Sequence, residues 1–124
     1  MAENKFNPLE NINFEVVHLG INTPDNETAL AAAKMFGALF GWQVEPGKDS
    51  IYAGPKLELM KGGSRGTCGH IAVAVNDIHG AKAYLESKGC AFAADSAKYD
   101  PEGKLIVIYL QDEIAGFAVH LLQR

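Results

Sequence analysis

The sequence predicts an α+β fold of two βαβββ modules, and three observations carry that prediction. The same order of elements, strand, helix, then three strands, can be read twice along the 124 residues. Polar residues recur at matching places: His18 and His70 lie 52 positions apart, as do Asp25 and Asp77. Gly54 and Glu58 are matched by Gly116 and His120 at an offset of 62, so the second half carries an insertion. Thirteen glycines and several turn dipeptides cut the apolar runs into short strands. The chain is expected to be one domain over 1–124, with a lead-in over 1–13, a first module over 14–61 and a second over 67–124.

The elements follow in order. Met1 to Asn13 is polar, with Pro8 in its middle, and reads as an extended lead-in. Phe14 to Asn22 is a run of β-formers. Thr23-Pro24-Asp25 supplies a cap and a first-turn proline for a helix from about Asp25 to Phe40. Leu30, Ala33, Phe36, Leu39 and Phe40 fall near one face of that helix, and Gly41 stops it. Strands are expected around Gln43 to Glu45, Ser50 to Ala53 and Lys56 to Lys61, parted by Pro46-Gly47 and Gly54-Pro55. In the second half, His70 to Val75 is a strand, Asp77 caps a helix from about Ile78 to Lys88, and Gly89 ends it. Strands around Cys90 to Ala94, Lys104 to Gln111 and Gly116 to Leu122 complete the plan.

Composition removes several classes of function. Hydrophobic residues make up 48% and charged residues 21%, a globular balance rather than a disordered one. A net charge of −4 argues against nucleic acid or an anionic membrane as partner. Leu105 to Leu110, the longest apolar run, is too short to cross a bilayer, and the start has no signal-peptide core. Cys68 and Cys90 are too few for a disulfide scaffold and are expected to be buried, inert and reduced, which points to a cytoplasmic protein.

Side chains alternate across a strand, so parity assigns faces. Phe14, Val16, His18 and Gly20 share one face, opposite Val17, Leu19 and Ile21. His70 goes with Ala72 and Ala74, His120 with Ala118 and Leu122, and Glu58 with Met60. The bulky face is expected to pack on the helices. The other carries His or Glu among small residues, which leaves a hollow with convergent polar groups for a ligand or metal. Three imidazoles and a carboxylate suit a divalent transition metal such as Zn, Ni, Co, Mn or Fe.

At these residues the chain resembles the vicinal oxygen chelate superfamily of glyoxalase I, bleomycin and fosfomycin resistance proteins and extradiol dioxygenases. The likeness rests on His18-Leu-Gly-Ile, His70-Ile-Ala-Val, Val75-Asn-Asp77 before Ala81 to Gly89, and the Gly-x-x-x-Glu ending at Glu58. It implies two modules paired into a curved, incompletely closed mixed sheet with the helices outside. It implies His18, Glu58, His70 and His120 as metal ligands. It also implies a homodimer, whose site can take His18 and Glu58 from one chain and His70 and His120 from the other. The family usually has Glu where this chain has His120, which argues against glyoxalase I activity itself. A more specific resemblance, through Glu15 to Asn22 and Ile114 to Leu121, is to the module at the carboxyl end of some bacterial 2-dehydro-3-deoxyphosphogluconate aldolases.

The function expected is that of a metal-dependent, glyoxalase-like isomerase or lyase that chelates a small oxygenated metabolite through two oxygens. Glu58 is the candidate base, although parity does not choose between it and another carboxylate. The alternative is a non-catalytic module of the same fold that binds a small molecule or regulates an aldolase; an iron-dependent ring-cleaving dioxygenase is a third reading. Other residues have plainer readings. His79 is expected on the solvated helix surface and Trp42 in the core. Tyr52, Tyr99 and Tyr109 either line the hollow or simply pack. Lys56, Lys61 and Arg65 form a basic cluster that can hold a carboxylate or phosphate, or be wet surface. Gly62 to Gly66 lacks P-loop spacing and reads as the joint between modules.

Overall fold

A computed structural model gives the fold and describes residues 11–124; residues 1–10 of the expected lead-in lie outside the described part. The elements are β1 (Phe14–Asn22), α1 (Asn26–Phe40), β2 (Val44–Pro46), β3 (Ser50–Ala53), β4 (Leu57–Met60), β5 (Gly69–Val75), α2 (Ile78–Ser87), β6 (Phe92–Tyr99), β7 (Leu105–Leu110) and β8 (Phe117–Gln123). The strands form one eight-stranded mixed sheet in the order β2-β3-β4-β1-β5-β8-β7-β6. β1 and β5 pair antiparallel in the middle, and each has the last strand of its own module, β4 or β8, parallel on its outer side. Two βαβββ units therefore share a continuous sheet, as the repeat implies.

Both helices are capped where the sequence marks them. The Asp25 carboxylate accepts from the Thr28 backbone N–H at 2.8 Å, and the Asp77 carboxylate accepts from that of Gly80 at 3.0 Å. Pro24 precedes the cap, so it lies outside α1 rather than in its first turn. Gly41 closes α1 at φ 73°, a left-handed conformation in which its N–H reaches the Gly37 carbonyl at 2.8 Å.

The bulky sheet face packs on the helices in two clusters. Ala29 and Ala33 of α1 meet Ile51, Ala53 and Leu59. Ile78 and Ala81 of α2 meet Val75, Leu105, Ile108 and Leu121. Ala29 and Ala33 have no exposed surface, so the helix rides close on the strands with no room for a longer side chain. Ala33→Leu is expected to lower stability by about 1–3 kcal/mol through overpacking, read as a lower urea midpoint at unchanged slope.

Several expectations need correction. Leu39 and Phe40 are 66% and 58% exposed, because the three-residue edge strand β2 does not cover the last turn of α1. Trp42 is 41% exposed and stacks with Phe36 and Phe40 at the surface instead of entering the core. β6 starts later and runs further than Cys90 to Ala94. Its ladder with β7 is broken at Ser96, whose Oγ donates to the Ala93 carbonyl and accepts from the Tyr109 N–H at 2.6 and 2.9 Å. The end of the lead-in joins the core: Ile12 is buried, and Asn76 bonds the Asn13 N–H and the Asn11 carbonyl. Cys68 is exposed and Cys90 half-buried, both free, so neither is the buried thiol expected. No described helix is long and apolar enough to cross a membrane.

Parity fails at one point of β1. Val16 pairs with Val73 but His18 pairs with Ala72, so Val17 is the extra residue of a bulge. Before the bulge, Phe14 pairs with Val75 on the helix side and its ring lies 6.4 Å from that of Tyr84 in α2. Phe14 and Val16 thus leave the face on which His18 and Gly20 sit.

Candidate metal centre

The centre is built on two neighbouring cross-strand rows of the open sheet face. One row runs Tyr52, Glu58, Gly20, His70, Ala118 across β3, β4, β1, β5 and β8. The next runs His18, Ala72, His120, Tyr109 across β1, β5, β8 and β7. Each imidazole therefore has glycine or alanine as a neighbour in its row, and that leaves room for the rings to lean together. The approach is tightest at Gly20, where a Cβ would stand 2.1 Å from His70 Cε1. Only a residue without a side chain allows the His70 ring to cross β1 toward Glu58 and His18.

The four expected ligands meet. His70 Nε2 lies 3.3 Å from His18 Nε2 and 3.1 Å from Glu58 Oε1, and His18 Nε2 lies 3.4 Å from the same oxygen. One ring nitrogen from each of His18, His70 and His120 falls within 4.8 Å of the others. Here all four side chains meet within one chain. The cause is the direct pairing of β1 with β5 inside the chain.

Electrostatics leave the cluster ready to donate lone pairs. Burial lowers the pKa of His18, with smaller contributions from the His70 and Arg124 charges against the raising effect of Glu58. His120 is lowered to about 4, by burial first and then by His70, His18 and Lys98, although its contact with the Leu121 carbonyl opposes this. Both imidazoles are neutral near pH 7, the form that binds metals. Burial alone would raise Glu58, but bonds from His70 and Ser50 and the nearby imidazole charges hold it at about 2. Ser50 Oγ donates to Glu58 Oε2 at 2.7 Å, which leaves Oε1 for the imidazoles.

Ser50 is the site residue that sequence reasoning missed. It shares strand parity with Tyr52, and Tyr52 lies opposite Glu58; that alternation was the available signal. Of the three tyrosines, Tyr52 and Tyr109 flank the cluster, with ring centroids 6.0 Å from His18 and 4.7 Å from His120. Burial, then the Glu58 carboxylate, pushes Tyr52 up to about 12, and burial raises Tyr109. Tyr99 is 60% exposed beyond the cluster, and His79 is exposed on α2. The basic cluster dissolves: Lys61 Nζ donates to the Gly47 carbonyl, Lys56 lines a surface hollow shared with Trp42, and Arg65 sits over the Tyr109 ring. Tyr52 also borders a hollow of about 540 Å³ lined by Trp42, Glu45, Gly54 and Pro55.

The donor set fits a metal. Ligands at about 2.0–2.1 Å from a zinc-sized ion stand about 3.3 Å apart in a tetrahedron and about 3.0 Å apart along an octahedral edge. The separations among His18, His70 and Glu58, 3.1, 3.3 and 3.4 Å, lie in that range, and the His120 nitrogen falls within 4.8 Å of those of His18 and His70. Ser50 supplies the outer hydrogen bond that fixes a coordinating carboxylate.

No family model and no curated protein sequence matches the chain. Solved structures do. A hypothetical protein from Bacillus halodurans C-125 superposes with TM-score 0.61 at 18% identity, over 90% of this chain and 95% of its own. Methylmalonyl-CoA epimerase in complex with methylmalonyl-CoA gives TM-score 0.59 at 18% identity, over 88% of this chain and 93% of its own. A variant of homoprotocatechuate 2,3-dioxygenase from Brevibacterium fuscum gives 0.59 at 19%, with 89% of this chain covering 32% of the enzyme. The likeness to an aldolase-associated module finds no support in these comparisons. At such identities the shared feature is the architecture, and that architecture is the vicinal oxygen chelate fold.

Proposed function

We propose that the chain is a metal-dependent, glyoxalase-like isomerase or lyase that acts on a small oxygenated metabolite held through two oxygens. The observation that carries this reading is the convergence of three imidazole nitrogens within 4.8 Å of one another. Glu58 Oε1 lies beside two of them. His18, Glu58, His70 and His120 would hold the divalent ion, which when bound supplies Lewis acidity to adjacent substrate oxygens. The protein's own groups do the rest. Tyr52 and Tyr109 stay protonated at neutral pH and offer phenol donors at the rim. Glu58 is ionised and able to accept a proton, and its basicity rises once His70 no longer donates to it. An epimerase of the same fold supports the isomerase class.

Protein purified without a histidine tag is expected to contain stoichiometric divalent metal. If stripped, it is expected to gain about 10 °C in melting temperature on addition of Zn, Ni, Co or Mn at about 100 times Kd. A chain with no metal and no shift with any of the four overturns the reading. Two observations favour the alternative, a non-catalytic module that binds a small molecule: with its hydrogen bonds in place Glu58 is a weak base, and His120 stands where the family usually has a carboxylate. Metal uptake without turnover of any 2-hydroxy or 2-oxo acid is the result that would select it. This chain spans about a third of the dioxygenase it matches.

A further inference from the structure

We propose that Arg65 anchors a carboxylate or phosphate at the far end of the ligand whose near end chelates at the His18–Glu58–His70–His120 cluster. This rests on the metal-dependent reading above and names the class of substrate: a chelating acid with a second, distal anionic group.

The guanidinium carbon of Arg65 stands 4.9 Å above the centre of the Tyr109 ring, and that ring lies 4.7 Å from the ring of His120. Arg65 is thus linked to a residue of the centre through the single ring of Tyr109. Stacking on an aromatic face leaves the guanidinium edge, with its forked N–H donors, free for an oxyanion. Among the described residues its carboxylate partner is Asp95 at 3.8 Å, with the two side chains 43% and 83% exposed. So long and wet a pair is readily exchanged for an incoming anion.

The backbone under Arg65 is held in place. Asn22 Nδ2 donates to the Gly66 carbonyl at 2.8 Å, which ties this segment to the strand that carries His18. The Asn22 N–H in turn donates to the Cys68 carbonyl at 3.0 Å. The segment expected to be a plain joint between modules therefore positions a cation over Tyr109, the ring beside His120. The chain carries −4 overall, so the attraction for an anion here comes from the one fixed guanidinium and not from the net charge.

The test uses the full chain loaded with Co(II), in a buffer free of phosphate and carboxylates, with binding read from the cobalt absorption spectrum. 2-Oxoglutarate and 2-oxopentanoate share the chelating 2-oxo acid and differ in the distal carboxylate; 3-phosphoglycerate and glycerate make the same comparison for phosphate. In at least one pair the doubly anionic member is expected to bind about tenfold tighter. Arg65→Gln is expected to erase that preference and leave the singly charged acid unchanged, whereas Asp95→Asn is expected to strengthen it. Equal binding within both pairs, or a preference that survives Arg65→Gln, overturns this inference alone. Failure to take up Co(II) overturns the metal reading and this one with it.

Discussion

A His70→Ala chain is expected to purify without bound divalent metal and to bind Co(II) or Zn(II) roughly 100-fold or more weakly than the parent. His70 is the hub of the cluster. Its Nε2 faces His18 Nε2 at 3.3 Å and Glu58 Oε1 at 3.1 Å, and its ring is 5.3 Å from that of His18 and 5.7 Å from that of His120. Its loss removes one donor and frees two others from their mutual alignment. Metal content after stripping and reloading, with His79→Ala as control, reads the effect; His79 is exposed on α2 and its substitution should leave binding intact. Stoichiometric metal in His70→Ala would end the claim that these residues form the centre.

The same variant has a consequence for the metal-free protein. Glu58 sits at about 2, against an ordinary carboxylate value near 4.5, despite burial that opposes this. A depressed carboxylate contributes stability that is complete above its unfolded pKa and is lost as pH falls toward its folded pKa. In the parent that loss spans about pH 4.5 to 2. Without His70 the strongest bond that lowers Glu58 is gone, so its folded pKa rises and this contribution shrinks. The metal-free variant should therefore lose less stability than the parent between pH 5 and 2 by denaturant titration. This sign distinguishes an electrostatic role for His70 from a purely steric one.

Much of this architecture was legible in the sequence because the signals were redundant. His18 and His70 lie on matching strands at one spacing, and Asp25 and Asp77 cap matching helices at the same spacing, so each half supports the reading of the other. Parity placed His70, His120 and Glu58 on the face away from the cores, where they are. What escaped depends on contacts that composition does not encode. The bulge at Val17 lies among β-formers identical in type to its neighbours, so nothing marks the flip that sends Phe14 toward α2. Ser50 acts through a hydroxyl that reaches an adjacent strand, and sequence alone does not fix that register. Trp42 reads as core by composition, but core position is decided by what lies opposite, and β2 is too short to cover it. A site within one chain and a site between two use the same residues. The pairing of β1 with β5 that brings them together within the chain is a property of the whole chain.

Gly20→Ala is expected to damage the centre nearly as severely as removal of a ligand, although Gly20 offers no donor atom. The added Cβ would stand 2.1 Å from His70 Cε1, 2.2 Å from Nδ1 and 2.7 Å from Nε2, distances at which non-bonded atoms do not coexist. His70 is 6% exposed, so its ring cannot swing away without leaving Glu58 and His18 or displacing its neighbours. Metal affinity should fall by roughly 100-fold, and the metal-free chain should lose about 1–3 kcal/mol from overpacking. The decisive comparison is the double variant. In a His70→Ala background the ring is absent and the clash disappears. Alanine at position 20 should then cost nothing and can stabilise by about 0.4–1 kcal/mol, because it restricts the unfolded chain. A coupling of that sign between positions 20 and 70 ties the glycine to the imidazole it shelters. If Gly20→Ala costs the same stability in both backgrounds, or leaves metal affinity untouched, the His70 ring does not lie over β1 and the centre is not assembled as described.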